Sequence, residues 1–111
     1  MNMKQLCAKE ALKYIKDGMC IGLGGGSTIG YLAEYLAKEE RKITVVTPSD
    51  DTAELCKNLG LMVLSLEMTA HINIAFVDTA NMGFLILAHV AIGGNHAVSA
   101  DKAIEQRRYI H

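Results

Sequence analysis

A run of three glycines between an apolar segment and a segment of helical periodicity is the feature that most restricts the fold. The stretch Cys20–Tyr31 reads CIGLGGGSTIGY, in which Gly24–Gly26 separate the apolar residues Met19–Leu23 from Ser27 and Thr28. Glycines permit a tight turn and bring backbone N–H groups close to a ligand. The N-terminus of a following helix adds free N–H donors and a partial positive charge. The order of strand, glycine turn, hydroxyl pair and helix therefore predicts an anion site, with a phosphorylated small molecule as the leading ligand class.

The loop differs from two common nucleotide-binding motifs. No Gly-Lys-Ser/Thr closes it, which excludes a P-loop. Gly22 and Gly24 begin a dinucleotide fingerprint, but its third glycine would fall on Ser27. Since no acidic residue follows at a clear strand end about 20 residues on, no NAD site is expected. Ser27 and Thr28 can cap the helix or bond directly to phosphate oxygens. A capped strand–helix turn that binds nothing is the alternative interpretation.

The composition indicates a single domain over residues 1–111. Half of the residues are hydrophobic, which is enough for a core, and the formal net charge is −1. This balance gives no overall field that would favour nucleic acid, so no nucleic-acid partner is expected. No membrane association is expected either, because the apolar run Met82–Ile92 is too short to span a bilayer.

The cysteines point to a reducing compartment. Cys7, Cys20 and Cys56 are widely spaced in apolar contexts, which is typical of reduced, buried thiols and not of a disulfide framework. No two of them have the spacing of a metal site. The first residues run directly into a charged amphipathic segment without the pattern of a signal peptide. We therefore expect a cytoplasmic protein without a metal or cofactor.

Helical and strand patterns alternate along the chain, which predicts an α/β fold. Helices are predicted over Met3–Lys16, Ser27–Glu40, Asp50–Leu59 and Ala97–Tyr109, and strands over Met19–Leu23, Ile43–Thr47, Leu61–Leu64 and Ile72–Val77. Such alternation favours a three-layer, mostly parallel, Rossmann-like sheet flanked by helices. Ser49 is predicted to cap the third helix.

Three polar loops are predicted to meet at one edge of this sheet. Gly24–Thr28, Thr47–Thr52 and Asp78–Asn81 each follow a predicted strand. In parallel sheets ligands bind at the carboxyl ends of the strands. Ser49, Thr52 and Asn81 are therefore candidate ligand-binding residues alongside the glycine loop, and Asp78 is a candidate for chemistry there.

Four segments resemble the A-type ribose-5-phosphate isomerases. Lys4–Thr28 is similar to that family's first helix, strand and Gly-Thr-Gly-Ser-Thr loop, and Thr47–Leu55 is similar to its second loop and helix. Asp78–Asn81 stands where the family has Asp-Gly-Ala-Asp-Glu. Ile92–Lys102 stands where it has a Lys, a glycine run and Arg-Glu-Lys. The match covers essentially the whole chain. Judged by the usual size of a domain, it covers only about the N-terminal half of a family member.

The resemblance implies that the phosphate-binding residues of the family are present. It adds a lysine from the first helix and places a second glycine run near the substrate. The residues implied to bind the sugar phosphate are Lys4, Gly24, Gly25, Gly26, Ser27, Thr28, Gly93 and Gly94, with Gly25 in place of the family's Thr.

The resemblance implies an altered set of chemical residues. The family's catalytic Glu is replaced by Asp101, and its Lys falls at Ile92, or at Ala91 if the gap is placed differently. Of its two loop aspartates, Asp78 is kept and the second is Asn81. Isomerisation of an aldose to a ketose needs a base that reaches two carbons and a group that stabilises the oxyanion. Asp101 is the candidate base, but Ile92 offers nothing to an oxyanion.

Three functions follow from these observations. The first is a ribose-5-phosphate isomerase-like protein that binds a sugar phosphate with absent or weak turnover, and the second is an active isomerase. The third is a non-catalytic sensor, as in the sugar-sensing domains of some bacterial repressors, or a structural remnant. We also expect a homodimer with Phe84–Val90 near the contact, because this apolar run would be costly to expose. Its alternative is a short central strand in a closed monomer.

Overall fold

Helices and strands alternate in the computed structural model, which describes residues 2–69, 71–78, 84–92 and 98–107. The helices are α1 (Met3–Ala11), α2 (Ser27–Lys38) and α3 (Asp50–Asn58), and one-turn 3-10 helices cover Leu12–Tyr14 and Leu66–Met68. The strands are β1 (Cys20–Leu23), β2 (Thr44–Val46), β3 (Met62–Leu64), β4 (His71–Asp78), β5 (Phe84–Ile92) and β6 (Val98–Arg107).

The six strands form one sheet in the order β3-β2-β1-β4-β5-β6. The first four in this order are parallel, with Gly22 of β1 opposite Val46 of β2 and Ala75 of β4. β5 runs antiparallel to both β4 and β6. The predicted α/β class, with a mostly parallel sheet packed against helices, is confirmed. The carboxyl ends of four strands consequently lie along one edge.

The helices pack on one face of the sheet, where the main core lies. Side chains alternate between the two faces along each strand. Val45 therefore packs with the helices in the main core, and Val46 lies on the opposite face. On the helical side, Phe76 and Phe84 meet edge to face with ring centroids 5.7 Å apart. On the opposite face a smaller cluster contains Val46 and Ile72, packed with Cys20, Leu64, Leu66 and Ala75.

The predicted helix over Ala97–Tyr109 is wrong, because Val98–Arg107 is the strand β6. β6 pairs with β5 from Val98, opposite Ile92, to Arg107, opposite Phe84. Backbone hydrogen bonds along a ladder of this length outweigh the weak helix preference of Ala, Lys, Glu and Gln. β6 is the last strand of the sheet, and charged residues such as those of this segment are common on edge strands, which they protect from further pairing.

The apolar run Phe84–Val90 lies inside the sheet as part of β5. Phe84 and Ile86 are fully buried in the main core, and neighbouring strands occupy both edges of β5. The alternative of a central strand is therefore the one observed, and the run does not need a second chain to cover its backbone. A homodimer remains a prediction, which light scattering tests. The apolar run Phe84–Val90 is no longer a reason to expect one.

Candidate functional site

The glycine loop joins β1 to α2 at the carboxyl edge of the parallel strands. The Gly24 N–H donates to the Phe76 carbonyl at 3.0 Å, which extends the pairing of β1 with β4 by one residue. Gly26 has φ +107° and ψ 163°, a conformation that is essentially restricted to glycine. α2 then begins at Ser27, and Gly30 N–H donates to the Gly26 carbonyl at 3.1 Å. The N–H groups before Gly30 in the first turn therefore have no acceptor within the helix.

Lys4 lies over the start of α2. Its Nζ is 2.7 Å from Oγ of Ser27, and both side chains are exposed. Lys4 is in the first turn of α1, which begins with a capping box: Asn2 Oδ1 accepts from Gln5 N–H, and Gln5 Oε1 accepts from Asn2 N–H. The ammonium group and the N-terminus of α2 thus form one region of positive potential.

The hydroxyls of Ser27 and Thr28 do not cap α2. The N-cap residue is Gly26, which has no side chain to accept a hydrogen bond. The Ser27 hydroxyl is exposed beside Lys4, as a ligand-binding hydroxyl would be. Thr28 is fully buried, and its Oγ1 has no hydrogen-bond partner among the described residues.

The second predicted loop reaches the site through the start of α3. Ser49 caps α3 as predicted, because its Oγ accepts from Thr52 N–H at 3.2 Å. An ideal β-carbon on Gly25 would lie 3.5 Å from this Oγ, so Ser49 lies beside the glycine loop. Thr52 is 6% exposed and donates its hydroxyl hydrogen to the Gly24 carbonyl at 2.9 Å. Thr52 is therefore within the site, but its hydroxyl already has an acceptor.

Asp78 lies against the loop from the end of β4. Its Oδ2 is 2.6 Å from the position that a β-carbon on Gly26 would occupy. Its charge also acts on Cys7 of α1: burial, and secondly the Asp78 charge, raise the pKa of the Cys7 thiol. The site therefore combines a cationic group at Ser27 with an acidic group at the neighbouring Gly26.

An open cleft of about 440 Å³ adjoins the loop, lined by Asn2, Met3, Lys4, Ser27 and Tyr31. Asn2 Nδ2 donates to the Tyr31 hydroxyl at 3.3 Å, which links α1 to α2. Sequence reasoning missed both residues. Asn2 followed by Gln5 is a capping-box signal that could have indicated the start of α1. No local signal indicates that Tyr31 faces Asn2.

The structure does not bring Asp101 and Ile92 to this edge of the sheet. Asp78, Phe84 and Arg107 are opposite one another at the edge that carries the glycine loop. Asp101 lies six residues from Arg107 along β6, which is roughly 20 Å at 3.3 Å per residue. Ile92 is beyond Ala91, which is opposite His71 at the start of β4. The predicted residues Asn81, Gly93 and Gly94 lie outside the described residues.

Neither a metal-binding cluster nor a membrane-spanning helix is present in the described part of the chain. It contains no group of three or more His, Cys, Asp or Glu side chains arranged to hold a metal ion. Its helices include none that is both long enough and apolar enough to cross a membrane.

The chain is similar to one protein-family model and to curated ribose-5-phosphate isomerases. Residues 1–106 match the family model described as DeoR C terminal sensor domain. The chain is also 36% identical over 84 residues to ribose-5-phosphate isomerase A of Limosilactobacillus reuteri, which covers 71% of this chain and 37% of that protein. Ribose-5-phosphate isomerase A of Brucella suis biovar 1 is 39% identical over 82 residues, covering 71% of this chain and 35% of that protein.

A solved structure shows the same likeness. A D-ribose-5-phosphate isomerase in complex with phospho-erythronic acid superposes with a TM-score of 0.64 at 36% identity, over 68% of this chain and 36% of that one. The resemblance inferred from the motifs is thus confirmed for the N-terminal part of the chain. The chain spans about a third of the length of the curated relatives it matches, at 37% and 35% for the two named above.

Proposed function

We propose, since the chain belongs to the DeoR C terminal sensor domain family, that it binds a sugar phosphate at the glycine loop. The observation that carries this proposal is the 2.7 Å contact between Lys4 Nζ and Ser27 Oγ at the N-terminus of α2. A phosphate group seated there accepts hydrogen bonds from the lysine, the serine hydroxyl and the free N–H groups of the first turn.

The acidic side of the loop supports a phosphorylated sugar over phosphate alone. Asp78 lies against Gly26. Its carboxylate would repel a bare phosphate ion but would accept hydrogen bonds from sugar hydroxyls. One structural relative contains phospho-erythronic acid, which likewise carries a phosphate and hydroxyl groups. The ligand class proposed for this chain is therefore a small polyhydroxy phosphate such as ribose 5-phosphate.

Turnover is proposed to be absent or very slow. The register of β5 and β6 puts Asp101 and Ile92 near the opposite end of the sheet from Asp78. A displacement of a catalytic group by about 1 Å can already cost on the order of 100-fold. Loss of an oxyanion donor costs roughly 100- to 1000-fold more. The position of these residues supports a binding role over an isomerase.

A thermal-shift titration with ribose 5-phosphate and inorganic phosphate tests binding. A ligand at 100 times its dissociation constant adds about 2.7 kcal/mol to the free energy of unfolding. We expect both ligands to raise the melting temperature and the sugar phosphate to act at lower concentration. An unchanged melting temperature at millimolar concentrations of both would reject the site and favour a structural remnant.

An active isomerase is the second candidate, and the position of Asp78 favours it. A carboxylate beside the phosphate loop is available to exchange protons with substrate hydroxyls. An isomerase assay on the titrated sample separates the two functions. Turnover within the ordinary enzyme range of about 1–1000 per second would establish the enzyme. Stabilisation by ligand without turnover would establish the binding protein.

A further inference from the structure

Both backbone groups of Gly24 are held by neighbouring elements. Its N–H donates to the Phe76 carbonyl of β4 at 3.0 Å, and its carbonyl accepts from Thr52 Oγ1 of α3 at 2.9 Å. The loop therefore departs from a residue that is fixed on one side by the sheet and on the other by a helix. The next two residues, Gly25 and Gly26, are exposed.

Thr52 is unsuited to direct contact with a ligand. It is 6% exposed, and the one hydrogen of its hydroxyl is donated to Gly24. Its own N–H donates to Ser49 Oγ, the cap of α3, at 3.2 Å. The cap thus fixes the first turn of α3, and this turn carries the hydroxyl that holds the loop.

The peptide group between Gly24 and Gly25 transmits this contact. A trans peptide is planar, so the Gly25 N–H points opposite to the Gly24 carbonyl. By binding that carbonyl, Thr52 fixes the direction of the Gly25 N–H, the first donor of the loop after the strand. Without this bond, two consecutive glycines would leave the donor with many accessible orientations.

We propose that Thr52 is a positioning residue for ligand binding, which acts through the Gly24–Gly25 peptide and not by touching the ligand. The proposal rests on the proposed function in that the loop is where the phosphate binds. Loss of an oriented donor then weakens binding by about tenfold, the equivalent of roughly one neutral hydrogen bond. Serine at this position keeps the hydroxyl and therefore keeps the affinity.

The test compares Thr52→Val, which removes the hydroxyl at nearly constant volume, with Thr52→Ser. Thr69→Val is the matched control, because Thr69 Oγ1 also donates to a backbone carbonyl, that of Ser65, but outside the site. Dissociation constants for ribose 5-phosphate and inorganic phosphate are measured by calorimetry at a temperature at which each variant is folded. Thr52→Ala replaces Thr52→Val if the latter does not fold.

We expect Thr52→Val to bind both ligands about tenfold more weakly, and Thr52→Ser and Thr69→Val to match the unchanged chain. A structural role alone would lower stability without changing the affinity of the folded protein. Equal affinities of Thr52→Val and the unchanged chain would overturn the proposal while leaving the proposed function intact.

If the unchanged chain binds neither ligand, the proposed function fails, and the Gly25 amide resonance shows separately whether Thr52 holds the Gly24–Gly25 peptide. A carbonyl that accepts a hydrogen bond polarises the N–H of its own peptide group. The Gly25 signal must then move in Thr52→Val and stay in Thr52→Ser. A Gly25 signal that does not move in Thr52→Val overturns the inference.

Discussion

The carboxylate of Asp78 occupies the space that a side chain on Gly26 would need, with Oδ2 2.6 Å from the ideal β-carbon position. This relationship joins the end of β4 to the glycine loop. Two features require glycine at position 26. Its φ of +107° is unfavourable for other residues, and Asp78 lies where a side chain would be. The acidic group and the loop donors are thereby held in a fixed relative position.

Gly26→Ala is expected to destabilise the protein and to weaken ligand binding. The backbone strain of such a conformation costs about 1–3 kcal/mol, and displacement of Asp78 adds to it. Gly60→Ala is the matched control, because Gly60 also has a positive φ, +86°, but nothing within 4 Å of its β-carbon position. Urea unfolding and calorimetry measure the two effects.

Only Gly26→Ala should alter binding, and its cost in stability should shrink in an Asp78→Ala background. An equal cost in both backgrounds would show that the carboxylate does not determine the effect. Normal binding by folded Gly26→Ala would separate the loop conformation from the site.

Lys4→Met is expected to weaken binding of ribose 5-phosphate by about 10- to 100-fold, as for loss of one charge-assisted hydrogen bond. Lys4 is exposed, so the free energy of unfolding should change by less than about 0.5 kcal/mol. Lys9→Met removes the same charge from an exposed position further along α1 and serves as the control. Calorimetry at two salt concentrations measures the effect. Similar affinities of the two variants would indicate that only net charge matters and that Lys4 does not contact the ligand.

Ser49→Ala is expected to lower the free energy of unfolding by about 0.5–2 kcal/mol, the usual cost of losing a side-chain helix cap. The lost bond is that from Thr52 N–H to Ser49 Oγ. Ser65→Ala is the control, because Ser65 precedes a 3-10 helix without a side-chain capping bond. Ser49→Asp should restore stability in chemical denaturation. An equal loss in Ser49→Ala and Ser65→Ala would contradict the assigned role.

The sequence predicts the four parallel strands of the sheet well because its signals are local. Short apolar runs, a glycine turn and the cap at Ser49 each depend on neighbouring residues, and the structure confirms all three. The meeting of the glycine loop with Asp78 follows from topology, since parallel strands end at one edge. Even the contact between Lys4 and Ser27 agrees with the family resemblance, although no local pattern indicates it.

The segment after β4 could not be predicted in the same way. Ala100–Arg107 has the composition of a solvated helix, and only pairing with the apolar strand β5 makes it a strand. The resemblance to a family motif predicts Asp101 as the catalytic base. Its actual position depends on the register of β6 against β5. Thr52 shows the same limit on a smaller scale. The sequence predicts that its hydroxyl binds a ligand, but the hydroxyl hydrogen is donated to the Gly24 carbonyl.

The stability of the protein is expected to fall as the pH rises above the ordinary thiol pKa of 9.0. Burial raises the pKa of Cys7 and Cys56, and the Asp78 charge adds to the effect at Cys7. Between the unfolded and folded pKa values, each thiol is ionised in the unfolded chain and protonated in the folded one. Folding then binds a proton, so stability is complete below the unfolded pKa and decreases above it by about 1.4 kcal/mol per pH unit for each thiol.

The double variant Cys7→Ala and Cys56→Ala isolates the contribution of these two thiols. Urea unfolding between neutral and alkaline pH should show a shallower decline in the double variant than in the unchanged chain. Single variants should each remove part of the difference, because the two buried thiols titrate in the unfolded state independently. Parallel declines in the double variant and the unchanged chain would mean that the thiols ionise alike in both states, which is incompatible with their complete burial in the core.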